Sequence, residues 1–350
     1  MTTFGLRVFS QALVLTGFLT GTSVAIAATT TGTIHSSGAI ALENCGQQLS
    51  LQNSPERVVT VGQATTEMLY SLGLHDRVVG TSNWFTEVAP EFKDIDAGIE
   101  RIAENFPSFE GVMSRKPDLV TADFLFSIGP SGVVGKREQF HKLGVNTYVL
   151  ASQCIDQDSS KGFDGVRSAM FSLDNLYRSI RDIATLFKVE SRGEALVETI
   201  RQREAAAIAQ VKQHQQKNLS AVFWFSSAAL EVDPWVGGSK GVPGWMMESL
   251  GIENVIKSDE VWPMAGWESI AQANPSMIVV AKMSRRRFEA DDVEKKLEFL
   301  RSDPVTREMD AVKNNNIIVM DAHAMDVTLR AVEGLETLSA AVTRLGVAER

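Results

Sequence analysis

Arg57-Val58-Val59-Thr60-Val61-Gly62-Gln63-Ala64-Thr65-Thr66-Glu67-Met68-Leu69-Tyr70-Ser71-Leu72-Gly73-Leu74 reads as a strand, a turn and a helix in direct succession. The β-branched run from Arg57 to Val61 predicts a strand. Thr65 and Thr66 are expected to cap the helix that follows, and Gly73 to end it in the left-handed conformation favoured at helix termini. Working outward, short β-branched runs at Arg77 to Gly80, Asp118 to Thr121 and Thr147 to Leu150, with a helix from Arg137 to Leu143 closed by Gly144, continue the alternation. That is the pattern of parallel strands and crossover helices, and it predicts an α/β lobe over residues 51–189. The alternation resumes at Ala221 to Phe225, Met277 to Ala281 and Ile317 to Met320 and closes with a helix from Ala331 to Leu345, predicting a second α/β lobe over residues 215–350. Between them, Leu173 to Lys188 and Ser191 to Gln213 are rich in Ala, Glu, Arg and Gln and free of proline, as helices are. The second, within residues 190–214, would extend about 30 Å at 1.5 Å per residue and is read as a rigid connector.

Two internal echoes support this division. Ser71-Leu72-Gly73-Leu74 returns as Ser249-Leu250-Gly251-Ile252, and Phe109-Glu110 ahead of Lys116-Pro117-Asp118-Leu119-Val120 returns as Trp267-Glu268 ahead of Asn274-Pro275-Ser276-Met277-Ile278. Glu110 and Glu268 stand at the same distance from their prolines, near the start of an equivalent helix, where a carboxylate suits the helix dipole.

The N-terminus reads as an export signal over residues 1–27: Arg7 supplies positive charge, Ala12 to Leu19 an apolar stretch, and Ala25-Ile26-Ala27 a small-residue cleavage site ahead of Ala28. The apolar stretch is interrupted and shorter than the ~20 residues a membrane span needs. Ala28 offers no thiol for a lipid anchor, so a soluble periplasmic protein is expected, with a flexible, Ser/Thr-rich leader over residues 28–50 and no direct membrane anchor. In an oxidising compartment the two cysteines, Cys45 and Cys154, are expected to form a disulfide. Net charge is −9, and the only dense cationic group is Arg285-Arg286-Arg287, which argues against nucleic acid or anionic membrane as a partner.

Pro55-Glu56-Arg57-Val58-Val59, Leu72-Gly73, Val78-Val79-Gly80 and Lys116-Pro117-Asp118-Leu119-Val120, in that order and spacing, resemble the periplasmic binding proteins that serve ABC importers of iron complexes and vitamin B12. The resemblance covers Ser54 to Leu345. It implies two Rossmann-like lobes joined by one long helix, a ligand held between them, little hinge motion, and a monomer. It also implies that Glu110 and Glu268 dock against arginines of a membrane permease.

Ligands of open α/β sheets bind beyond the carboxyl ends of the strands, and those segments here are aromatic. They carry Trp84 and Phe85, Phe124 and Phe126, Trp224 and Phe225, Trp235 and Trp262, of which Trp84, Phe124, Phe225 or its neighbour Ser226, and Trp262 match the family's cleft positions best. Flat side chains there suit a macrocycle or a metal chelate. Arg285, Arg286 and Arg287 could pair with an anionic chelate, and Asp321, His323 and Met325, after the last predicted strand, could add polar contacts. The expected cargo is a ferric siderophore, with cobalamin or haem as alternatives; metal enters only within the chelate, and no cofactor is expected. The five histidines are scattered, which disfavours a carrier of free metal. A chelatase-like enzyme of similar build is the reading from another class, but no Gly-x-Ser-x-Gly, phosphate-loop or His-Glu-x-x-His motif is present.

Overall fold

The computed structural model describes residues 39–158, 165–212 and 218–348. The expected signal at residues 1–27 lies outside them. No helix among the described residues is long and apolar enough to cross a membrane.

Ile40–Asn44 (β1) and Gln47–Leu51 (β2) form an antiparallel hairpin. The leader expected to stay flexible to residue 50 is therefore ordered structure from Ile40 onward. Three contacts fix it. The Asn44 side chain pairs with both backbone groups of Val149, at 2.8 and 2.9 Å. Buried Arg137 donates to the Asn44 carbonyl at 2.8 Å. Cys45, at the hairpin turn, is bonded to Cys154 with a Cα separation of 5.3 Å, inside the range a disulfide spans without strain.

The first lobe is built on Val58–Val61 (β3), Val78–Ser82 (β4), Arg101–Ala103 (β5), Leu119–Ala122 (β6) and Asn146–Val149 (β7), all parallel, in the order β5-β4-β3-β6-β7. Every residue of β3 and β6 is buried, as in strands covered on both faces. Gln63–Ser71 (α1), Phe109–Met113 (α2) and Arg137–Lys142 (α3) are among the lobe's helices. The start of α1 differs from expectation. Its first residue is Gln63, so Thr65 and Thr66 lie inside the first turn, and the Asp123 carboxylate accepts from the Ala64 and Thr65 amides at 2.8 and 2.9 Å. Gly62, at φ 147°, makes room for that carboxylate, since a Cβ there would lie 2.0 Å from Asp123 Cγ.

Gln157–Asp158 (β8) and Val166–Arg167 (β9) form a small antiparallel pair before the two predicted helices, Leu173–Leu186 (α4) and Glu190–Lys212 (α5). At 23 residues, α5 is about 35 Å long. Gly193 lets it approach α4 closely, because a Cβ there would stand 2.6 Å from that of Ala184.

Ser220–Ser226 (β10), Trp235–Val236 (β11), Glu253–Asn254 (β12), Met277–Lys282 (β13) and Ile317–Asp321 (β14) make the second sheet. Strands β12, β10, β13 and β14 are parallel and repeat the first lobe's topology; β11 joins β10 antiparallel. Val242–Leu250 (α6), Trp267–Ala273 (α7), Val293–Ser302 (α8) and Ala331–Ala348 (α9) are among its helices. Along α5 and α9, Arg203 grips Glu336 at 2.8 and 2.7 Å and Ser339 donates to the Ala207 carbonyl.

The sequence echoes are backbone echoes. Gly73 and Gly251 have φ of 68° and 70°, and the following amides return to carbonyls five residues back, Leu74 to Leu69 and Ile252 to Met247. Lys116 and Asn274, each before its proline, are left-handed at 49° and 46°. One apolar core runs unbroken through both lobes, from Leu69 and Ile183 past Val197 and Ile200 to Met246 and Leu335.

Candidate functional site

The lobes meet where the carboxyl ends of their parallel strands face each other. Phe85, beyond β4, is the centre of the seam. Its ring contacts Phe124 and Phe225, each with centroids 6.3 Å away, and the Arg285 guanidinium lies 4.5 Å above it. Its carbonyl accepts from the Ser284 and Arg285 amides of the other lobe, at 3.0 and 3.1 Å. Trp262 extends the seam by packing on Phe225 at 4.8 Å, and Phe126 stacks on Phe124 at 5.2 Å.

Below the rings a buried ion pair joins α1 to the N-terminal end of α9. Arg330 donates through Nε to Glu67 at 2.9 Å and through Nη2 to the other Glu67 oxygen, and it reaches the Glu87 carbonyl at 2.9 Å. Glu67 also accepts from Gln63 and from the Ala89 amide, so both partners are fully engaged. Burial works against the Arg330 charge, yet the Glu67 carboxylate outweighs it and holds the guanidinium above its ordinary range. Beside the ring seam lies a small pocket of about 10 Å³, the scale of a single water, lined in part by Phe85, Asp123, Phe124, His323 and Asp326. His323 is only 3 % exposed, and its Nε2 has no hydrogen-bond partner among the described residues. Burial, then the charge of Arg330, holds its imidazole neutral, well below its ordinary pKa. Burial pushes Asp123 up to about 7.

Residues 58–324 match the family described as "Periplasmic binding protein". The chain belongs to that family. This periplasmic binding protein is thus a solute-binding component of transport systems and not an enzyme. It is 23% identical over 303 residues to an uncharacterized ABC transporter substrate-binding lipoprotein of Bacillus subtilis, covering 85% of this chain and 82% of the relative. Among solved structures it is similar to an ABC-type Fe3+-hydroxamate transport system from Saccharomonospora viridis (TM-score 0.67, 23% identity, 86% of this chain and 98% of the other). A periplasmic heme binding protein from Pseudomonas aeruginosa is also similar (TM-score 0.63, 22% identity, 83% and 93%).

Of the cleft residues expected in this periplasmic binding protein, Phe124 and His323 line the pocket, while Phe225, Trp262 and Arg285 stand along the seam beside it. The others lie elsewhere. Trp84 turns into the first lobe, 4 % exposed, with Nε1 on Thr81 Oγ1 and Arg101 over its ring. Ser226 is buried on Asp291 at 2.6 Å. Trp235 packs on Phe288 along the β11 edge. Arg286 and Arg287 are exposed, because Asp291 gathers the loop around itself by accepting from the Arg287 and Phe288 amides and from Arg285 Nε. Beneath that loop Lys296, pushed down to about 7 by burial, donates to the carbonyls of Phe225 and Ala281 and pins the ends of β10 and β13. Glu110 and Glu268 occupy the first turns of α2 and α7, both exposed, with Ser108 capping the first. Among the described residues no three His, Cys, Asp or Glu side chains converge as a metal site. Glu67, Arg330, Asp123 and Asp326 are absent from the sequence-derived site; the partners lie too far apart in the chain for spacing to signal them.

Proposed function

We propose that this protein is the exported solute-binding component of an ABC importer, that it takes a ferric siderophore between its lobes, and that it presents the complex to the permease through Glu110 and Glu268. The observation that carries the reading is the seam of Phe85, Phe124, Phe225 and Trp262 at the facing strand ends, which offers π faces and apolar area where α/β sheets take their ligands. The likeness to the hydroxamate system supports the cargo class. The residues 1–27 are read as a cleaved signal and the mature chain as a periplasmic monomer with no lipid at Ala28, unlike the Bacillus lipoprotein.

Haem is the second reading, favoured by one observation: the His323 Nε2 in the pocket wall makes no hydrogen bond among the described residues, lying 4.0 Å from Glu67 Oε2, and is the imidazole nitrogen that iron would take. Titration of the mature protein separates the two. Saturable quenching of tryptophan fluorescence by ferric hydroxamates, with no haem absorbance shift, is the expected result. A haem spectrum that is lost in His323→Ala reverses the ranking.

A further inference from the structure

The second lobe exposes apolar side chains where its surface carboxylates gather. Among the described residues five large apolar side chains are strongly exposed, and two of them, Met264 at 66 % and Val232 at 46 %, stand beside the start of α7. The backbone brings their segments together. Met264 pairs with Trp235 of β11 in an antiparallel bridge, and the Ala265 amide donates to the Pro234 carbonyl at 3.2 Å. Gly266, which opens α7, has a carboxylate on either side: a Cβ there would stand 3.5 Å from Asp233 Oδ1 and 3.5 Å from Glu268 Oε2. Glu231, Asp233 and Glu268 are all exposed, and none pairs with a basic side chain among the described residues. Single exposed apolar residues are ordinary, but two on one face with three uncompensated charges of one sign have the make-up of an interface, an apolar centre within a polar rim.

The first lobe lacks a counterpart. Phe109, ahead of Glu110 in α2, packs against Gly135, where an added Cβ would lie 2.6 Å from the ring. The loop of Gly135 carries one strongly exposed apolar side chain, Val133 at 53 %, and exposed Lys136 follows it. The backbone repeat therefore sets Glu110 and Glu268 alike, while only Glu268 stands among apolar area and further negative charge.

Resting on the reading that Glu110 and Glu268 dock the permease, we propose that this docking is lopsided. The second lobe is the anchor: Met264 and Val232 seat against an apolar patch of the permease, and Glu231, Asp233 and Glu268 meet arginine or lysine side chains around it. The acidic rim selects this occupant. A second copy of the chain would set the same carboxylates against each other on a molecule of net charge −9, whereas a cationic partner neutralises them. Binding energy concentrates on side chains buried at the centre of an interface, which here is Met264.

The test is saturable binding of fluorescently labelled, ligand-free protein to spheroplasts of the organism that makes it, which present the outer face of the permease. Met264→Ser is expected to raise the half-saturation concentration about tenfold, as loss of a central contact does, and Val133→Ser to raise it less than about twofold. Both side chains are exposed, so the urea midpoints of both variants should match the wild type. Equal losses from the two substitutions overturn the anchor and leave the docking reading standing. So does a Met264→Ser protein that binds normally while Glu110→Arg with Glu268→Arg abolishes binding. Full binding by all of these variants, or no saturable binding by the wild type, overturns both. A wild type that dimerises in sedimentation, with a Met264→Ser variant that does not, gives the patch to a second copy and overturns the proposal.

Discussion

Arg330 is the residue on which the two lobes close. Both it and Glu67 are withdrawn from water, and each is compensated chiefly by the other. Removing one partner strands the other's charge, which in buried pairs costs about 3–5 kcal/mol, whereas replacing both by apolar side chains costs far less. Arg330→Leu should therefore lower the unfolding free energy by that amount in urea melts, and adding Glu67→Leu should recover most of it; equal losses in single and double variants would show that the pair acts only by filling space. The same scale shows where sequence reading stops. Glu67 and Arg330 are 263 positions apart, and neither lies in a motif that announces the other. Trp84 and Phe85 are adjacent aromatics beyond one strand, and which of them reaches the seam depends on a backbone turn that composition does not encode. The chemistry chose Phe85: the Trp84 indole N–H needs a buried acceptor, which Thr81 supplies inside the lobe.

Elements were far more legible. Strands β3, β6, β10 and β13 coincide within a residue or so with the β-branched runs, because a strand buried on both faces must be apolar along its whole length. Gly73 was readable as a helix end because a left-handed residue lets the next amide turn back, and Gly251, read only as its echo, ends its helix the same way. The cap of α1 was not readable, since Asp123 supplies it from beyond β6. Nor was the β1–β2 hairpin, whose hold on the lobe comes from Asn44, Arg137 and the Cys45–Cys154 bond. That bond closes a loop with a sequence separation of 109, for which chain entropy gives about 4–5 kcal/mol before strain. The Cys45→Ser/Cys154→Ser double variant should lose about 2–5 kcal/mol, measured by denaturant midpoint, and reductant should bring the wild type to the same midpoint. A wild type insensitive to reductant would contradict this.

At the scale of the whole molecule, the repeated helix-turn-proline arrangement sets Glu110 and Glu268 at equivalent points of two lobes that a continuous core holds in fixed relation. A pair of carboxylates on a pseudo-twofold body can register it on a symmetric, arginine-bearing partner, and exposed pairs of this kind act on encounter and orientation more than on raw affinity. Glu110→Arg with Glu268→Arg should abolish uptake while ligand affinity stays within about twofold; uptake at the wild-type rate would remove the docking assignment. The Glu67–Arg330 pair bears on a different quantity. Its halves stand 263 positions apart in the chain, so it can close only after both lobes have folded, and it belongs to the last contacts the chain makes.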